Sequence, residues 1–246
     1  LHEGHQSLIK NALENDRVIV SIFLNPMQFT SKEELENYPR DLQRDCSICE
    51  ENGVNIVFAP ELDEMFSEGF CSYVDTSILT EGLFGVNSCD YYRGFCTVTT
   101  KLFNITSADK VYFGQKDAQH LAVIRRLVKD LNMKLSIIGC PVIREEDGLV
   151  ITSKNIFLNA EERRAALILS KTIRFAQGLV QAGEKDTEGI IEAMRENIGT
   201  EPLARIDYIE IVDAETMQRV DTIDGQVLVA IAVYIGDIRL LDNFTT

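Results

Sequence analysis

The sequence is short of basic residues and of long apolar segments. It has 24 Lys and Arg against 39 Asp and Glu, a formal net charge of −15 over 246 residues. A nucleic-acid-binding protein needs a basic stripe to meet the phosphate backbone, so we exclude nucleic acid as the main partner. No run of about 18 apolar residues occurs, which argues against a membrane span. No signal peptide opens the chain, and we expect a cytoplasmic protein.

The six cysteines show no metal-binding pattern. They are scattered along the chain and lack the spacing to histidine that metal sites have. Cys46 and Cys49 form a C-x-x-C pair, but they share a predicted helix face with Leu42. Buried free thiols are therefore the better interpretation, and this use of cysteine favours a reducing compartment.

Internal repeats, low-complexity segments and an obvious linker are also absent, and there are only five prolines. The length allows one or two domains, and we predict two, residues 1–142 and 143–246. Helical and strand patterns alternate in the first domain. The predicted helices lie near 4–15, 42–53, 95–105 and 121–131, and the strands near 17–24, 54–59, 110–113 and 135–140. This alternation indicates an α/β, Rossmann-like domain whose parallel sheet includes strand 17–24, buried on both faces.

The pattern changes after Pro141 and predicts a smaller α+β domain. Residues 142–151 read as a hairpin that turns at Asp147-Gly148. Asn159 and Glu162 resemble a capping pair that opens one long helix through Val180. Two strand-like runs, 206–212 and 226–235, follow. We expect this domain to pack over the open edge of the first sheet.

Two of the three histidines lie within the first five residues. His2 and His5 flank Glu3-Gly4, at the start of a predicted amphipathic helix. Helix starts carry unpaired N–H groups and partial positive charge, so two imidazoles beside a glycine can form a phosphate site. A pattern this short also arises by chance or for packing, and that alternative stays open.

Polar side chains follow the first predicted strand. Ligands of open parallel sheets bind beyond the carboxyl ends of the strands. Asn25 and Gln28 lie at such an end, where two amides could hold a carboxylate or a hydroxyl. An ordinary Asn-Pro turn with Gln28 in solvent is an equally good interpretation.

A second polar group follows the third predicted strand. Gly114, Gln115, Lys116 and Asp117 offer a close approach, a cation for phosphate and a carboxylate for ribose hydroxyls, and His120 comes one turn later. The alternative makes Asp117 a helix cap, Lys116 a solvated charge and His120 a helix-face residue.

A third group follows the predicted hairpin. Ile151, Thr152, Ser153 and Lys154 place two hydroxyls beside a lysine, which suits the β and γ phosphates of a nucleotide. Ile143 could offer an apolar contact and backbone groups to adenine. Taken alone, these residues are more often a plain polar loop.

In order and spacing, the segments resemble one enzyme family across essentially the whole chain. Seven of them are similar to blocks of the pantothenate synthetase (pantoate–β-alanine ligase) family: LHEGH, VSIFLNPMQF, YPRDL, KLFNI, YFGQKD, VIRR and DGLVITSKN. IDYIEIVD and VAIAVYIGDIRLLDN are similar to its C-terminal domain. The His2-Glu3-Gly4-His5 segment and the Thr-Ser-Lys loop also resemble a pair of motifs found in the wider superfamily of nucleotidyltransferases and class I aminoacyl-tRNA synthetases.

The resemblance implies ATP-dependent joining of pantoate and β-alanine through a pantoyl adenylate, with Mg²⁺, in a homodimer whose C-terminal domain closes over substrate. The family pattern assigns catalysis to His2, His5, Lys116 and Lys154. It assigns ATP binding to Leu1, His2, Glu3, Gly4, His5, Gly114, Gln115, Lys116, Asp117, Ile143, Ile151, Thr152, Ser153 and Lys154. Pantoate would contact Asn25, Gln28 and His120, with Gln28 also near β-alanine; no metal ligand is assigned.

The chain departs from the family pattern in four places. The family has a strand ending in Pro-Thr-Met-Gly before its histidine pair, so we expect a strand ahead of Leu1 in the complete protein. His120 stands where glutamine is usual, which could make pantoate binding depend on pH. Lys154 replaces an arginine and loses the bidentate fork. The stretch from Ser88 to Gly94 is atypical, and we assign no role to Tyr91.

Two other functions stay open on the sequence. One is a nucleotidyltransferase that stops after adenylyl transfer. The other is a non-enzymatic relative that binds ATP or a protein partner. The sequence has no persuasive Ser/His/Asp or Cys/His arrangement, which agrees with a reaction that needs no covalent enzyme intermediate.

Overall fold

The computed structural model describes residues 1–29, 32–83 and 89–246. Helices and strands alternate through residue 140, and a three-stranded antiparallel sheet with three helices follows. This architecture confirms the predicted fold class, an α/β region followed by an α+β region. No helix of the described ranges has the length and apolar character needed to cross a bilayer.

The bounds of the regular elements are as follows. Through residue 140 they are α1 (Glu3–Ala12), β1 (Ile19–Ser21), α2 (Lys32–Asn37), α3 (Leu42–Glu51), β2 (Ile56–Phe58), α4 (Leu62–Met65), α5 (Cys89–Thr106), β3 (Lys110–Gly114), α6 (Ala118–Asp130) and β4 (Ser136–Cys140). After it they are α7 (Ala160–Ala165), α8 (Leu167–Gln181), α9 (Thr187–Gly199), β5 (Ala204–Asp213), β6 (Val227–Ile235) and β7 (Ile238–Thr245).

The chain divides into two compact units. One comprises Leu1, Glu3–Phe113 and Val123–Cys140, and the other comprises His2, Gly114–Ala122 and Pro141–Thr246. The second unit thus takes in two stretches that precede residue 142. The division into domains 1–142 and 143–246 stays a prediction.

The strands of the α/β region form two short pairs within the described residues. β1 and β2 are parallel, with Ile19 opposite Ile56, and β3 pairs with β4. The prediction that both faces of strand 17–24 are buried is wrong, because Ile19 is 37% exposed and Ile56 is 49% exposed. Paired residues of parallel strands share a face, so nothing among the described residues fully covers that face at this point.

Helix α3 confirms the predicted helix around the cysteine pair. Asp41 caps it by accepting from the backbone N–H of Arg44 at 2.9 Å. Cys49 is buried and Cys46 is partly buried, and both thiols are free. Leu42, the first residue of the helix, is 50% exposed, whereas Cys49 is 1% exposed. The buried face begins one turn later.

The second unit has its core around β6, the middle strand of the antiparallel sheet. Nearly every residue of β6 is buried, as its unbroken apolar sequence requires. Helices α8 and α9 supply Leu169, Ile173, Ile190 and Met194 to the same cluster. This core supports the loops of the second unit that carry candidate site residues.

The long helix predicted through Val180 is divided into α7 and α8. The capping box is confirmed, since Asn159 accepts from the backbone N–H of Glu162 and the Glu162 carboxylate accepts from that of Asn159. At Ala166 the helix tightens, because the Leu169 N–H reaches the carbonyl of Ala166, only three residues back, at 3.2 Å.

Four elements escaped the sequence analysis: the short helices α2 and α4, helix α9 and strand β7. Helix α9 begins behind Asp186, whose carboxylate accepts from Gly189 N–H at 3.1 Å. Strand β7 follows β6 through the two-residue turn Gly236-Asp237, where Gly236 has a φ of +56°. Glycine adopts this conformation without a Cβ penalty, and a Gly-Asp pair between apolar runs is a hairpin signal.

The predicted hairpin of residues 142–151 is present in minimal form. A single antiparallel bridge joins Arg144 to Val150, and Ile151 N–H donates to the Ile143 carbonyl at 3.0 Å. The turn uses Gly148 at a φ of +98°, where any side chain would be strained.

Candidate active site

The first turn of α1 carries part of the predicted phosphate site. His5 and Gly4 are half-buried there, and the Gly4 carbonyl accepts from the Ser7 hydroxyl at 2.7 Å. Glu3 is exposed in the same turn, where the helix dipole favours a negative charge. These residues belong to the first unit.

The Asn25 side chain caps a turn through its oxygen, while its Nδ2 has no acceptor among the described residues. Its Oδ1 accepts from Met27 N–H at 3.1 Å, which caps the 3-10 turn Pro26–Gln28, so the turn interpretation is correct for this atom. The residue is only 2% exposed, and its Nδ2 has no acceptor within ranges 1–29, 32–83 and 89–246. A buried amide N–H without a partner costs about 1–3 kcal/mol, which a bound oxygen ligand would recover. Gln28 is half-buried beside it.

Gly94 lets helix α5 approach the Asn25 turn. A Cβ at this buried position would overlap Met27 Cβ and lie 3.2 Å from Asn25 Nδ2. The sequence analysis did not identify this residue, although a glycine inside a helical pattern often marks such a close approach. Of the atypical stretch, Ser88 lies outside the described residues, while Tyr91 stacks edge-on against Tyr92 at 5.3 Å between ring centroids.

Lys116 and Asp117 form an ion pair directly after β3. Lys116 Nζ donates to Asp117 Oδ1 at 2.8 Å, and both side chains are partly exposed. They belong to the 3-10 turn Gln115–Asp117, which Gly114 precedes with an extended backbone. Lys116 is therefore neutralised in part by its neighbour, and its charge remains open to a competing anion.

The charges of this turn act on two histidines of the second unit. Burial lowers the pKa of His2, and the Lys116 ammonium lowers it further, while Asp117 opposes the shift. Burial also lowers the pKa of His120, with Asp117 opposing and Lys116 reinforcing the effect. Both imidazoles are thus neutral near pH 7 and can each donate one N–H.

Side-chain hydrogen bonds hold the Thr-Ser-Lys loop. Thr152 Oγ1 accepts from Lys154 N–H at 3.3 Å and caps the 3-10 turn Ser153–Phe157. Asn155 Nδ2 anchors the loop to the Val150 carbonyl at 2.9 Å. Ser153 is half-buried and Lys154 is exposed. The sequence analysis assigned no role to Asn155.

The Ile143 carbonyl is already an acceptor for the N–H of Ile151, and both residues are half-buried. A carbonyl has two lone pairs, so Ile143 keeps acceptor capacity for a ligand.

The predicted site residues thus fall into two groups, one in each unit. Leu1, Glu3, Gly4, His5, Asn25 and Gln28 lie in the first, and His2, Gly114, Gln115, Lys116, Asp117, His120, Ile143, Ile151, Thr152, Ser153 and Lys154 lie in the second. His2, Lys116, Asp117 and His120 are close enough to affect one another electrostatically. That the two groups meet around one nucleotide stays a prediction.

Comparison with known proteins decides the family. A family model described as pantoate-beta-alanine ligase matches residues 1–245. The chain belongs to the pantoate–β-alanine ligase family. The ligases it resembles include the pantothenate synthetase of Ruminiclostridium cellulolyticum, 55% identical over all of this chain and 87% of the relative. That of Enterococcus faecalis is 52% identical, also over all of this chain and 87% of the relative.

Solved structures of the ligase family have the same fold. Pantothenate synthetase from Thermus thermophilus is 35% identical, with a TM-score of 0.94 over 99% of this chain and 89% of that one. The ligase from Francisella tularensis, described as complexed with beta-gamma ATP and beta-alanine, is 31% identical, with a TM-score of 0.78 over 99% and 85%. The chain is therefore a ligase of the pantothenate-forming family.

The described ranges contain no obvious site where protein side chains alone could bind a metal ion. No group of three or more His, Cys, Asp and Glu side chains there could hold an ion.

Proposed function

We propose that this chain joins pantoate to β-alanine at the expense of ATP, through an enzyme-bound pantoyl adenylate, to give pantothenate, AMP and pyrophosphate. The observation that carries this proposal is the match over 99% of the chain to a ligase described with ATP and β-alanine. The chain retains cations, imidazoles and buried amides suited to those substrates.

The first half-reaction builds charge on phosphate. A carboxylate oxygen of pantoate attacks the α-phosphorus of ATP, the new O–P bond forms, and the bond to the β-phosphate breaks with its electron pair leaving on pyrophosphate. Positioning and charge neutralisation supply most of the catalysis in such a step. Lys116 and Lys154 provide positive charge, and neutral His2 together with His5 provides N–H donors to the phosphoryl oxygens.

The remaining ATP contacts follow from the chemistry of each group. Thr152 and Ser153 donate hydroxyl hydrogen bonds to phosphate, and Asp117 accepts from ribose hydroxyls once Lys116 turns toward the triphosphate. Gly114 lets the ribose approach the backbone, and Ile143 contacts adenine. We propose that backbone atoms line the rest of the ATP site, from Leu1, Glu3, Gly4, Gln115 and Ile151.

Pantoate binds at the Asn25 turn. Asn25 is only 2% exposed, and its buried Nδ2 donates to a pantoate oxygen. Gln28 and His120 complete its polar contacts. In the second half-reaction the β-alanine amine, held near Gln28, attacks the acyl carbon of the adenylate. The carbon–oxygen bond to AMP breaks, AMP leaves with its electron pair, and the amine loses a proton.

The same proposal includes expectations about the metal, the assembly, the compartment and the domains. ATP enters as its magnesium complex, so that Mg²⁺ arrives with the nucleotide. The enzyme works as a homodimer in the cytoplasm, and its C-terminal domain closes over the substrates. In this proposal residues 1–142 form the domain that binds ATP and pantoate, and residues 143–246 form the lid domain.

The test measures how much pyrophosphate and AMP the complete protein releases. With ATP and pantoate but no β-alanine, we expect one pyrophosphate per active site and a retained adenylate. Adding β-alanine should release AMP and pantothenate in equal amounts. Release of ADP, or pyrophosphate formation without pantoate, contradicts the proposal; repeated turnover without β-alanine indicates a simple nucleotidyltransferase.

A further inference from the structure

The last strand carries a buried polar pair that the reaction as described does not use. Asp242 and Asn243, near the end of β7, are 2% and 8% exposed. Carboxylates and amides are rarely buried unless their hydrogen bonds are satisfied inside the protein. The partners of this pair are therefore informative, and they lie 98 to 128 residues away in sequence.

Asn243 binds the backbone of the Lys116 turn. Its Nδ2 donates to the carbonyl of Lys116 at 2.8 Å and to the carbonyl of Gln115 at 3.3 Å. One amide group thereby fixes two consecutive peptide planes. Because the Lys116 side chain leaves the backbone between those planes, its direction depends on this contact.

Asp242 binds the hairpin that leads to the Thr-Ser-Lys loop. Arg144 donates to both carboxylate oxygens, at 2.7 Å and 2.8 Å, and its Nη1 also reaches the Gly148 carbonyl at 3.1 Å. This bidentate geometry is the strongest that an arginine and a carboxylate form. Asp242 Oδ1 accepts in addition from the Asn243 N–H at 2.7 Å, which links the two contacts.

We propose that Asn243 is a positioning residue for Lys116, and that the Asp242–Arg144 pair holds hairpin 142–151 in register with the Lys116 turn. This inference rests on the proposed function, in which Lys116 neutralises the phosphates of ATP. The end of β7 then connects the two ATP-binding segments of the second unit. A displacement of about 1 Å in such a group can cost about 100-fold in rate.

The test compares single-turnover pyrophosphate release in four forms of the complete enzyme. They are the native chain, Asn243→Asp, Lys116→Ala and the double variant. Asn243→Asp keeps the shape but turns an oxygen toward both carbonyls in place of the N–H. We expect a loss of about 10- to 100-fold in Asn243→Asp, and less than about twofold further loss when it is added to Lys116→Ala.

A matched control loses a buried hydrogen bond elsewhere in the second unit. Thr172 donates to Asn197 Oδ1 at 2.7 Å between α8 and α9. Thr172→Val should leave the pyrophosphate rate within about twofold of native, even if its melting temperature falls as far as that of Asn243→Asp. A second signature is pH: a protonated aspartic acid can donate, so the deficit of Asn243→Asp should shrink as the pH falls.

The outcomes separate the two proposals. If Lys116→Ala keeps its rate, the proposed role of Lys116 fails. If Lys116→Ala loses activity but Asn243→Asp does not, or if their losses are additive, the positioning inference is overturned. Should Asn243→Asp not fold, Asn243→Ser, which keeps one donor on a shorter side chain, is judged by the same criterion of non-additivity with Lys116→Ala.

Discussion

At the scale of single residues, Asn25 holds two roles that one substitution can separate. Asn25→Asp keeps the oxygen that caps the turn and removes the buried Nδ2 donor. We expect the pantoate KM to rise by about 5- to 100-fold, the equivalent of about 1–3 kcal/mol, with the ATP KM little changed. Steady-state kinetics with each substrate varied measures this.

The same substitution at another cap serves as the control. Asn159 caps α7 through Oδ1, at 2.9 Å from Glu161 N–H, and is exposed. Asn159→Asp keeps that acceptor and should leave the pantoate KM unchanged. An equal rise in both variants would show that Asn25 acts only through the turn.

Among the residues of the first unit, His5 has the clearest expected effect on the rate of adenylate formation. His5→Ala should slow adenylate formation by about 100-fold or more, because an N–H donor to the developing phosphoryl charge is lost. Rapid-quench measurement of pyrophosphate tests this, with Gln6→Ala, one position along the same helix, as control. A defect confined to the β-alanine step would contradict the role.

The pKa of His120 predicts a pH effect on stability. Its folded-state pKa is lowered by burial, so the unfolded chain binds more protons below about pH 6.5 and the free energy of unfolding falls as the pH drops. His2 acts in the same direction. His120→Gln should flatten this dependence by at most about 1.4 kcal/mol per pH unit. Denaturant unfolding between pH 7.5 and 5.5 measures the slope, and an unchanged slope counts against the assignment.

At the scale of elements, the contact between α5 and the Asn25 turn depends on Gly94. Gly94→Ala forces Met27 and Asn25 to move, and we expect a loss of about 1–3 kcal/mol in unfolding free energy with a raised pantoate KM. Gly178 is the control, because a Cβ there meets nothing within 4 Å. Gly178→Ala in α8 should be neutral or stabilising by up to about 1 kcal/mol. Equal effects of the two substitutions would contradict the packing argument.

Elements with local signals were predictable from the sequence. The capping box at Asn159 and the amphipathic pattern of α5 both depend on neighbours within a few residues. The exposure of Ile19 was not predictable, because it depends on what covers the β1–β2 pair. The break at Ala166 was missed because one residue of tighter helix leaves the apolar periodicity intact.

At the scale of the whole molecule, the candidate site was predictable mainly as a set of residue types. The histidines and lysines were identified because they lie in segments whose order and spacing resemble those of one enzyme family. Contacts such as that of Asn243 with the Lys116 turn join residues 127 positions apart, and no local pattern reveals them. Gly94 offered only a weak local signal, a glycine inside a helical pattern, and its partner Met27 lies on a distant segment.

In the proposed reaction, His5, Lys116 and Lys154 act on one triphosphate. A crystal structure of the complete enzyme with a non-hydrolysable ATP analogue, magnesium and pantoate tests it directly. We expect the His5 imidazole and both lysine Nζ atoms within about 3 Å of phosphate oxygens of the same nucleotide. A nucleotide bound in contact with only one of the two groups of residues, with the other group facing a different surface, would show that they do not share one ATP site.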